Sequence, residues 1–196
     1  MAYVTELGLS YKGLLRATHN RFIRVQVSAS PPLTWINMKM VEIKNDSKSG
    51  IIPFYVGDDG QIRMLFMVPS DPYYGGPRLQ IAKGGIDPGE TAEETAVREG
   101  IEELGLRMSN VVTVKRGTHV TELVRGDKAV YRMEVFVAKI IDPAAFDQPH
   151  YETGHTSWLT LPEFQSRGRR AQTKLVERAY TVMQQIAHAD GRSQVS

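Results

Sequence analysis

One segment constrains the fold of this chain more than any other. Residues 84–106 read GGIDPGETAEETAVREGIEELGL. The first six of these residues include three glycines and a proline, which argues against a helix or a well-formed strand and predicts a tight loop that tolerates positive φ. Thr91 and Glu94 then have the spacing of a capping box, and Gly105 is a typical residue just after a helix end. The segment therefore predicts a tight loop followed directly by a helix that starts near residue 91.

The predicted helix presents three carboxylates on one face. Glu99, Glu102 and Glu103 are spaced i, i+3 and i+4, so their side chains lie within about one turn of each other. Because the three charges repel one another, the face costs stability unless cations occupy it. Hard carboxylate oxygens suit Mg²⁺ or Mn²⁺ better than Zn²⁺. The alternative interpretation is a solvated acidic face without a ligand, which is common on Glu-rich helices.

The fixed positions of the segment form a longer pattern. They are Gly84, Glu90, Arg98, Glu99, Glu102, Glu103 and Gly105, followed by the apolar Leu106. This pattern resembles the signature of the Nudix hydrolase family, the Nudix box. The resemblance implies an α/β protein, an α/β/α sandwich with a mixed β-sheet, that hydrolyses a pyrophosphate bond in a nucleoside diphosphate linked to another moiety. Gly100 departs from the family pattern, which usually has an apolar residue there, and suggests close packing of the helix backbone.

The resemblance also implies a cofactor and roles for single residues. Bound Mg²⁺ or Mn²⁺, about two or three ions, would neutralise the phosphate chain while water attacks a phosphorus atom. Arg98 would orient Glu90 through a bidentate contact. The metal ligands implied by the box are the backbone carbonyl of Gly84 and the carboxylates of Glu99, Glu102 and Glu103.

A second resemblance lies at residues 149–158, PHYETGHTSW, where Glu152 precedes Trp158 by six residues. This segment is similar to one in RNA pyrophosphohydrolases and dinucleoside tetraphosphate hydrolases, in which a loop glutamate precedes a tryptophan by that interval. It makes Glu152 a candidate metal ligand or general base and favours 5′-triphosphorylated RNA or a dinucleoside polyphosphate as substrate. Because the base in this family lies either on the box helix or in a later loop, both locations stay open. The predicted catalytic residues are Glu103, Glu99, Arg98 and Glu152.

Residues on the N-terminal side of the box are candidates for substrate binding. Lys83 and Arg78 could neutralise phosphate oxygens, and Tyr73 and Tyr74 could stack on a nucleobase. Packing of the tyrosines onto the domain is an equally good interpretation. A basic cluster further along the chain consists of Arg167, Arg169, Arg170 and Lys174. It is either a patch that binds an RNA backbone or the solvated start of a helix.

The composition is that of a globular protein. Of the 196 residues, 41% are hydrophobic and 23% are charged, and the absence of cysteine excludes disulfides, thiolate metal sites and a cysteine nucleophile. No run is long and apolar enough to span a membrane, and no secretory signal is visible, so we expect a cytoplasmic protein without a membrane partner. The net charge of +2 permits a polyanionic substrate without requiring one.

Period-2 patterns outside the box predict a mixed sheet between helices. Residues 1–45 are predicted to be an N-terminal extension with strands, and residues 46–196 the hydrolase domain. The predicted strands are 21–28, 36–43, 50–56, 62–68 and 158–161, with an antiparallel meander over 110–140 and an amphipathic helix over 171–188.

Two other functions stay open. An ADP-ribose or ADP-sugar pyrophosphatase would suit the N-terminal strands, which in that branch often exchange between the subunits of a homodimer. The proline expected in that branch about fifteen residues after the final glycine of the box is absent, since residues 118–122 read THVTE. A catalytically silent Nudix regulator that binds nucleotides would usually have lost one or more box carboxylates, and here all are present.

Overall fold

The computed structural model describes residues 16–17, 22–27, 34–39, 43–71, 73, 76–118, 122–125 and 130–193, with side chains within 47–71, 73, 76–118 and 132–189. The chain separates into two compact units, Met1–Glu42 and Ile43–Ser196. Tyr74, one of the candidates for base stacking, lies outside the described residues.

Within its described residues, the first unit is a three-stranded antiparallel sheet in the order β1-β2-β3. These strands are β1 (Arg16–Ala17), β2 (Phe22–Val27) and β3 (Thr34–Lys39). The alternating residues of FIRVQV predict β2 to within one residue at each end. The second predicted strand, 36–43, is shifted, because Ile43 begins a strand of the other unit.

The second unit contains a mixed sheet of seven strands among the residues described. They are β4 (Ile43–Val56), β5 (Ile62–Pro69), β6 (Ala82–Gly85), β7 (Val111–Arg116), β8 (Glu122–Arg125), β9 (Val130–Ile140) and β10 (Thr153–Leu159). The order is β10-β5-β4-β9-β7, with β6 also paired to β4 and β8 to β9. The β4–β9 pair is parallel and the others are antiparallel. The predicted fold class, α/β with a mixed sheet, is confirmed.

Three α-helices of the described part cover the two faces of this sheet. They are α1 (Ala92–Leu104), α2 (Leu161–Arg167) and α3 (Thr173–Ser193). Successive residues of a strand point to opposite faces, so Ile51 of β4 joins the core under α1, while Ile52 joins the core under α2 and α3. The result is the predicted α/β/α sandwich. No helix in the described ranges is long and apolar enough to cross a membrane.

The Gly-rich segment forms the predicted loop in its second part only. Residues 86–90 form a turn before α1, in which the Glu90 N–H donates to the Asp87 carbonyl at 3.0 Å and Gly89 has the positive φ, 94°. Gly84 and Gly85 instead belong to β6 and lie opposite Ser49 and Lys48 of β4. For these two glycines the prediction was wrong, because composition does not reveal that the long strand β4 offers an edge on which they pair.

The region 110–140 also differs from the predicted meander. β7 and β8 pair with successive stretches of β9 rather than with each other, because β4 pairs with the opposite edge of β9. β10 starts five residues before the predicted strand at 158. The short helix α2 was not predicted, although Thr160 and Glu163 form a capping box of the same kind as Thr91 and Glu94.

Candidate active site

Helix α1 begins and ends where the box predicts. The Thr91 hydroxyl accepts a hydrogen bond from the Glu94 N–H, and the Glu94 carboxylate accepts one from the Thr91 N–H, at 2.8 Å. Gly105 follows the last turn with φ of 71°, a conformation that a residue with a Cβ adopts only at a cost. These two termini fix the register of the helix and therefore the height of its carboxylates above the sheet.

Strand β6 brings the backbone of Gly84 against the carboxylate of Glu99. A Cβ added to Gly84 would overlap the Glu99 carboxylate, whereas a Cβ on Gly85 would meet nothing within 4 Å. Glu99 is 8% exposed, and burial raises the pKa of its carboxyl, an effect that Arg98 opposes. The absence of a side chain at residue 84 therefore allows a buried carboxylate and a backbone segment to share one small space.

Arg98 connects three glutamates of the box. Its Nε and Nη2 donate to the two carboxylate oxygens of Glu90 at 2.9 and 3.1 Å, which is the expected bidentate contact. Its Nη1 donates to Glu99 at 2.7 Å and to Glu102 at 3.2 Å. Hydrogen bonds from Arg98 and from the Thr95 hydroxyl hold the pKa of Glu90 down at about 2. The guanidinium thus keeps Glu90 ionised and partly neutralises the acidic face.

Glu103 lies deeper than a surface glutamate. Its Oε2 accepts a hydrogen bond from the Lys83 backbone N–H at 2.7 Å. Burial raises the pKa of the Glu103 carboxyl, and the nearby Lys83 ammonium opposes that rise, while the charges of Glu99 and Glu152 add to it. Burial lowers the pKa of the Lys83 ammonium, and the charge of Glu103 opposes that. Glu103 therefore joins two segments, since its carboxylate accepts from Lys83 and its backbone carbonyl accepts from the hydroxyl of Thr153, the residue after Glu152, at 2.7 Å.

Glu152 belongs to an exposed turn directly before β10. Its backbone carbonyl accepts a hydrogen bond from the Ser70 N–H at 2.8 Å, so the turn is tied to the end of β5. Trp158, six residues later, packs edge-on against Tyr55 with 4.9 Å between ring centroids. The tryptophan therefore belongs to the packing of the domain, whereas the side chain of Glu152 is exposed on the turn.

The candidates for substrate binding differ in their surroundings. Tyr73 is 88% exposed. Arg78 lies against the end of α2, where its Nη1 donates to the carbonyls of Ser166 and Gly168 at 3.4 Å. Lys83 is partly buried beside Glu103. Of these three, Lys83 is the one that the fold brings to the acidic cluster.

Two cations near Lys83 were missed as parts of the site. Lys48 and Arg169 both contribute to the lowered pKa of Lys83. Lys48 lies opposite Gly85 in the β4–β6 pairing, and Arg169 donates to the side chain of Gln80 at 3.0 Å. Lys48 could not be placed near Lys83 from the sequence, because its position follows from the register of β4 with β6, which composition does not reveal. The sequence indicates Arg169 only as one member of the basic cluster.

The oxygen donors around Glu99 fit a hard divalent cation. Among the side chains described, no three carboxylate or imidazole groups converge tightly enough to enclose an ion as they stand. The overlap that a Cβ on Gly84 would produce shows that the Glu99 carboxylate lies directly against the backbone of Gly84. Arg98 donates to Glu99 and Glu102, so a cation held by these two carboxylates would share them with the guanidinium. Carboxylate and carbonyl oxygens are the ligands that Mg²⁺ and Mn²⁺ prefer.

Comparison with known proteins gives one consistent family. A family model described as the NUDIX domain matches residues 50–184. The mitochondrial Nudix hydrolase 16 of Arabidopsis thaliana is 30% identical over 129 residues, which is 59% of this chain and 68% of that protein.

Solved structures show the same fold. The Ap4A hydrolase of C. elegans, in a binary complex, has a TM-score of 0.58 at 19% identity and covers 70% of this chain and 97% of its own. The NUDIX domain of Shewanella oneidensis NrtR, complexed with ADP ribose, has a TM-score of 0.57 at 16% identity and covers 71% of this chain and 89% of its own. At these identities the likeness extends to the fold and leaves the substrate undetermined.

Proposed function

Because the chain belongs to the Nudix hydrolase family, whose members are pyrophosphohydrolases, we propose that it cleaves a pyrophosphate bond in 5′-triphosphorylated RNA or in a dinucleoside polyphosphate. The observation that carries this proposal is the contact that brings the turn of Glu152 to Glu103: the hydroxyl of Thr153, the residue after Glu152, donates to the Glu103 carbonyl at 2.7 Å. Burial is the main cause that raises the pKa of the half-buried Glu103 carboxyl, and the charge of Glu152 adds to it. Glu152 also has the sequence context that favours these two substrate classes.

In the proposed reaction, water attacks a phosphorus atom and the P–O bond to the leaving phosphate breaks. Glu152 or Glu103 accepts the proton of the water, and the cationic side chain of Lys83 contacts the phosphate oxygens. Arg98 keeps Glu90 ionised and holds Glu99 and Glu102 in place. Each of these steps moves a proton or a charge within the cluster formed by α1, β6 and the turn before β10.

The metal ligands of the proposal are the backbone carbonyl of Gly84 and the carboxylates of Glu99, Glu102, Glu103 and Glu152. Nudix enzymes generally need divalent metal ions, and Mg²⁺ or Mn²⁺, in about two or three sites, suits these oxygen donors. Bound cations would neutralise the phosphate chain and make the attacking water easier to deprotonate. Tyr73 and Tyr74 are proposed to stack on the nucleobase and Arg78 to meet an outer phosphate.

ADP-ribose is the second candidate substrate. The NrtR domain was solved with ADP ribose and matches this chain almost as well as the Ap4A hydrolase, with TM-scores of 0.57 and 0.58. The fold therefore does not discriminate between the two substrate classes. Glu152 favours the first, and the sequence THVTE at residues 118–122, without the proline of the ADP-ribose branch, disfavours the second.

Three further properties are part of the proposal. We propose residues 46–196 as the catalytic domain, with residues 1–45 as an extension that permits a homodimer. The net charge of +2 and the basic residues near Lys83 are compatible with an RNA 5′ end. A cytoplasmic location remains the expectation from the sequence.

A substrate panel tests this function. The purified full-length protein is assayed with 5′-triphosphorylated RNA, diadenosine polyphosphates, ADP-ribose, NADH and nucleoside triphosphates. Each substrate is measured with Mg²⁺, with Mn²⁺ and with excess chelator, and the products are separated by anion exchange. We expect the highest kcat/KM for the RNA or a diadenosine polyphosphate, and no hydrolysis in chelator. The highest kcat/KM for ADP-ribose would overturn the assignment in favour of the second candidate.

A further inference from the structure

The loop before β10 supplies hydrogen-bond donors to the C-terminal end of α1. The last carbonyls of a helix have no partner within the helix. The backbone N–H groups of Gly105 and Leu106 donate to the carbonyls of Ile101 and Gly100. Later carbonyls accept from the loop and from the first residue of β10. The Asp147 N–H donates to Gly105 O at 2.7 Å, the His150 N–H to Glu102 O at 2.8 Å, and the Thr153 hydroxyl to Glu103 O at 2.7 Å. Residues 147–153, called the clasp below, thus close the helix end.

Thr153 provides the side-chain donor of the clasp, since the other two donors are backbone amides. Its own backbone is fixed on both sides. The Thr153 N–H donates to His150 O at 3.1 Å, and Thr153 lies opposite Pro69 in the pairing of β10 with β5. A register shift between Thr153 and His155 marks a bulge just after it. Bulges re-aim neighbouring side chains, often beside active sites.

The hydroxyl of Thr153 joins the two glutamates that the proposed reaction needs. Glu103 receives it on its backbone carbonyl, and the carboxylate of the same residue is held by the Lys83 N–H. Glu152 is the residue directly before Thr153, and its carbonyl is held by the Ser70 N–H. The hydrogen bond from Thr153 therefore links the backbone next to Glu152 to the backbone of Glu103, although about fifty residues of sequence lie between the two glutamates.

We propose that Thr153 is a positioning residue, whose hydrogen bond to the Glu103 carbonyl sets the location of the Glu152 carboxylate relative to the Glu103 carboxylate. The proposal rests on the function proposed above. A displacement of a catalytic group by about 1 Å from its productive position can lower the reaction rate on the order of a hundredfold. Without the hydroxyl the Glu103 carbonyl would also lose this partner, so the contact between the loop and the helix end would weaken.

Substitutions at Thr153 test the clasp. Thr153→Val keeps the shape and removes the hydroxyl, Thr153→Ala removes it with less bulk, and Thr153→Ser keeps it. Thr156→Val, on the exposed part of the same strand, is the matched control. We expect kcat to fall by about tenfold or more in the Val and Ala variants and to stay within about twofold in the Ser variant and the control. Equal kcat in all four variants would overturn the proposal.

A double-mutant cycle separates positioning from general destabilisation. If Thr153 acts through Glu152, Thr153→Val causes no further loss of kcat in a Glu152→Gln background. Losses that multiply would mean that Thr153 acts elsewhere, which contradicts the inference alone. A Glu152→Gln enzyme with full activity would also contradict the inference, together with the role proposed for Glu152. The proposed function itself fails or stands separately, by the substrate panel.

Amide hydrogen exchange gives a readout independent of activity. In Thr153→Val, exchange at Asp147 and His150 is expected to increase, because the clasp opens, while the interior of α1 keeps its protection. Thr153→Ser and Thr156→Val are expected to leave these amides unchanged. Unchanged exchange at both amides in Thr153→Val and Thr153→Ala would contradict the clasp.

Discussion

At the scale of single residues, Arg98 determines how the acidic face of α1 can exist without bound cations. The spacing of Glu99, Glu102 and Glu103 predicts repulsion, yet the guanidinium contacts Glu99 and Glu102 at 2.7 and 3.2 Å. Glu103 lies beside the Lys83 N–H instead. The chain therefore supplies part of the positive charge that the proposed metal ions would supply, and this keeps the carboxylates together before substrate binds.

Gly84 is the residue whose small size the site requires most directly. Gly84→Ala would push a methyl group into the Glu99 carboxylate, so we expect loss of most hydrolytic activity and weaker binding of Mn²⁺. Forcing extra volume into a packed site also costs about 1–3 kcal/mol of unfolding free energy. Steady-state kinetics, a Mn²⁺ titration and thermal unfolding measure the three effects.

The neighbouring glycine is the matched control for that experiment. A Cβ on Gly85 would meet nothing within 4 Å, so Gly85→Ala is expected to keep the activity and the Mn²⁺ affinity of the unmodified protein. Similar losses in both variants would mean that the whole strand β6, rather than the contact between Gly84 and Glu99, is sensitive to substitution.

At the scale of elements, the contact between α1 and β4 depends on Gly100. A Cβ there would lie 2.7 Å from Cγ2 of the buried Ile51 and 3.2 Å from Cδ2 of Leu106. The close backbone packing that this departure from the family pattern suggests is thus confirmed. The helix lies against the sheet at the position where its own backbone offers no side chain.

The Gly100→Ala substitution has two effects of known size on the free energy of unfolding, and they act in opposite directions. Alanine favours the helix by about 1 kcal/mol over glycine, whereas overpacking a core costs about 1–3 kcal/mol. Because Ile51 and Leu106 are both buried, we expect overpacking to prevail and the variant to unfold at lower denaturant concentration. A variant more stable than the unmodified protein would show that α1 can move away from β4 at no cost.

The sequence predicts α1 more reliably than the elements around it. Its capping box and Gly105 are local signals, and the structure has both. Strand β6 and the length of β10 depend on free edges of other strands, β4 and β5, which lie elsewhere in the chain. Helix α2 also has a local signal, the Thr160 and Glu163 capping box, but with seven residues it is too short to show the apolar periodicity that predicts a helix.

At the scale of the whole molecule, the mixed sheet brings distant segments to one end of α1. β4 holds β6 and therefore Lys83 and Gly84, while β5 holds β10 and the turn of Glu152. The resemblance to known motifs indicates each of these residues separately. Their distances from one another depend on the order of the strands in the sheet, which a local sequence pattern does not reveal. The substrate depends on loops that the shared fold leaves variable.

Hydrolysis by Glu103→Gln tests the central claim most directly, since this change removes one charge from the half-buried carboxylate and alters its shape little. Glu93→Gln, on an exposed position of the same helix, is the control. With the best substrate of the panel and saturating Mg²⁺, we predict that phosphate release falls by about a hundredfold or more in Glu103→Gln and is unchanged in Glu93→Gln. Hydrolysis by Glu103→Gln at the rate of the unmodified protein would contradict the assignment of the site.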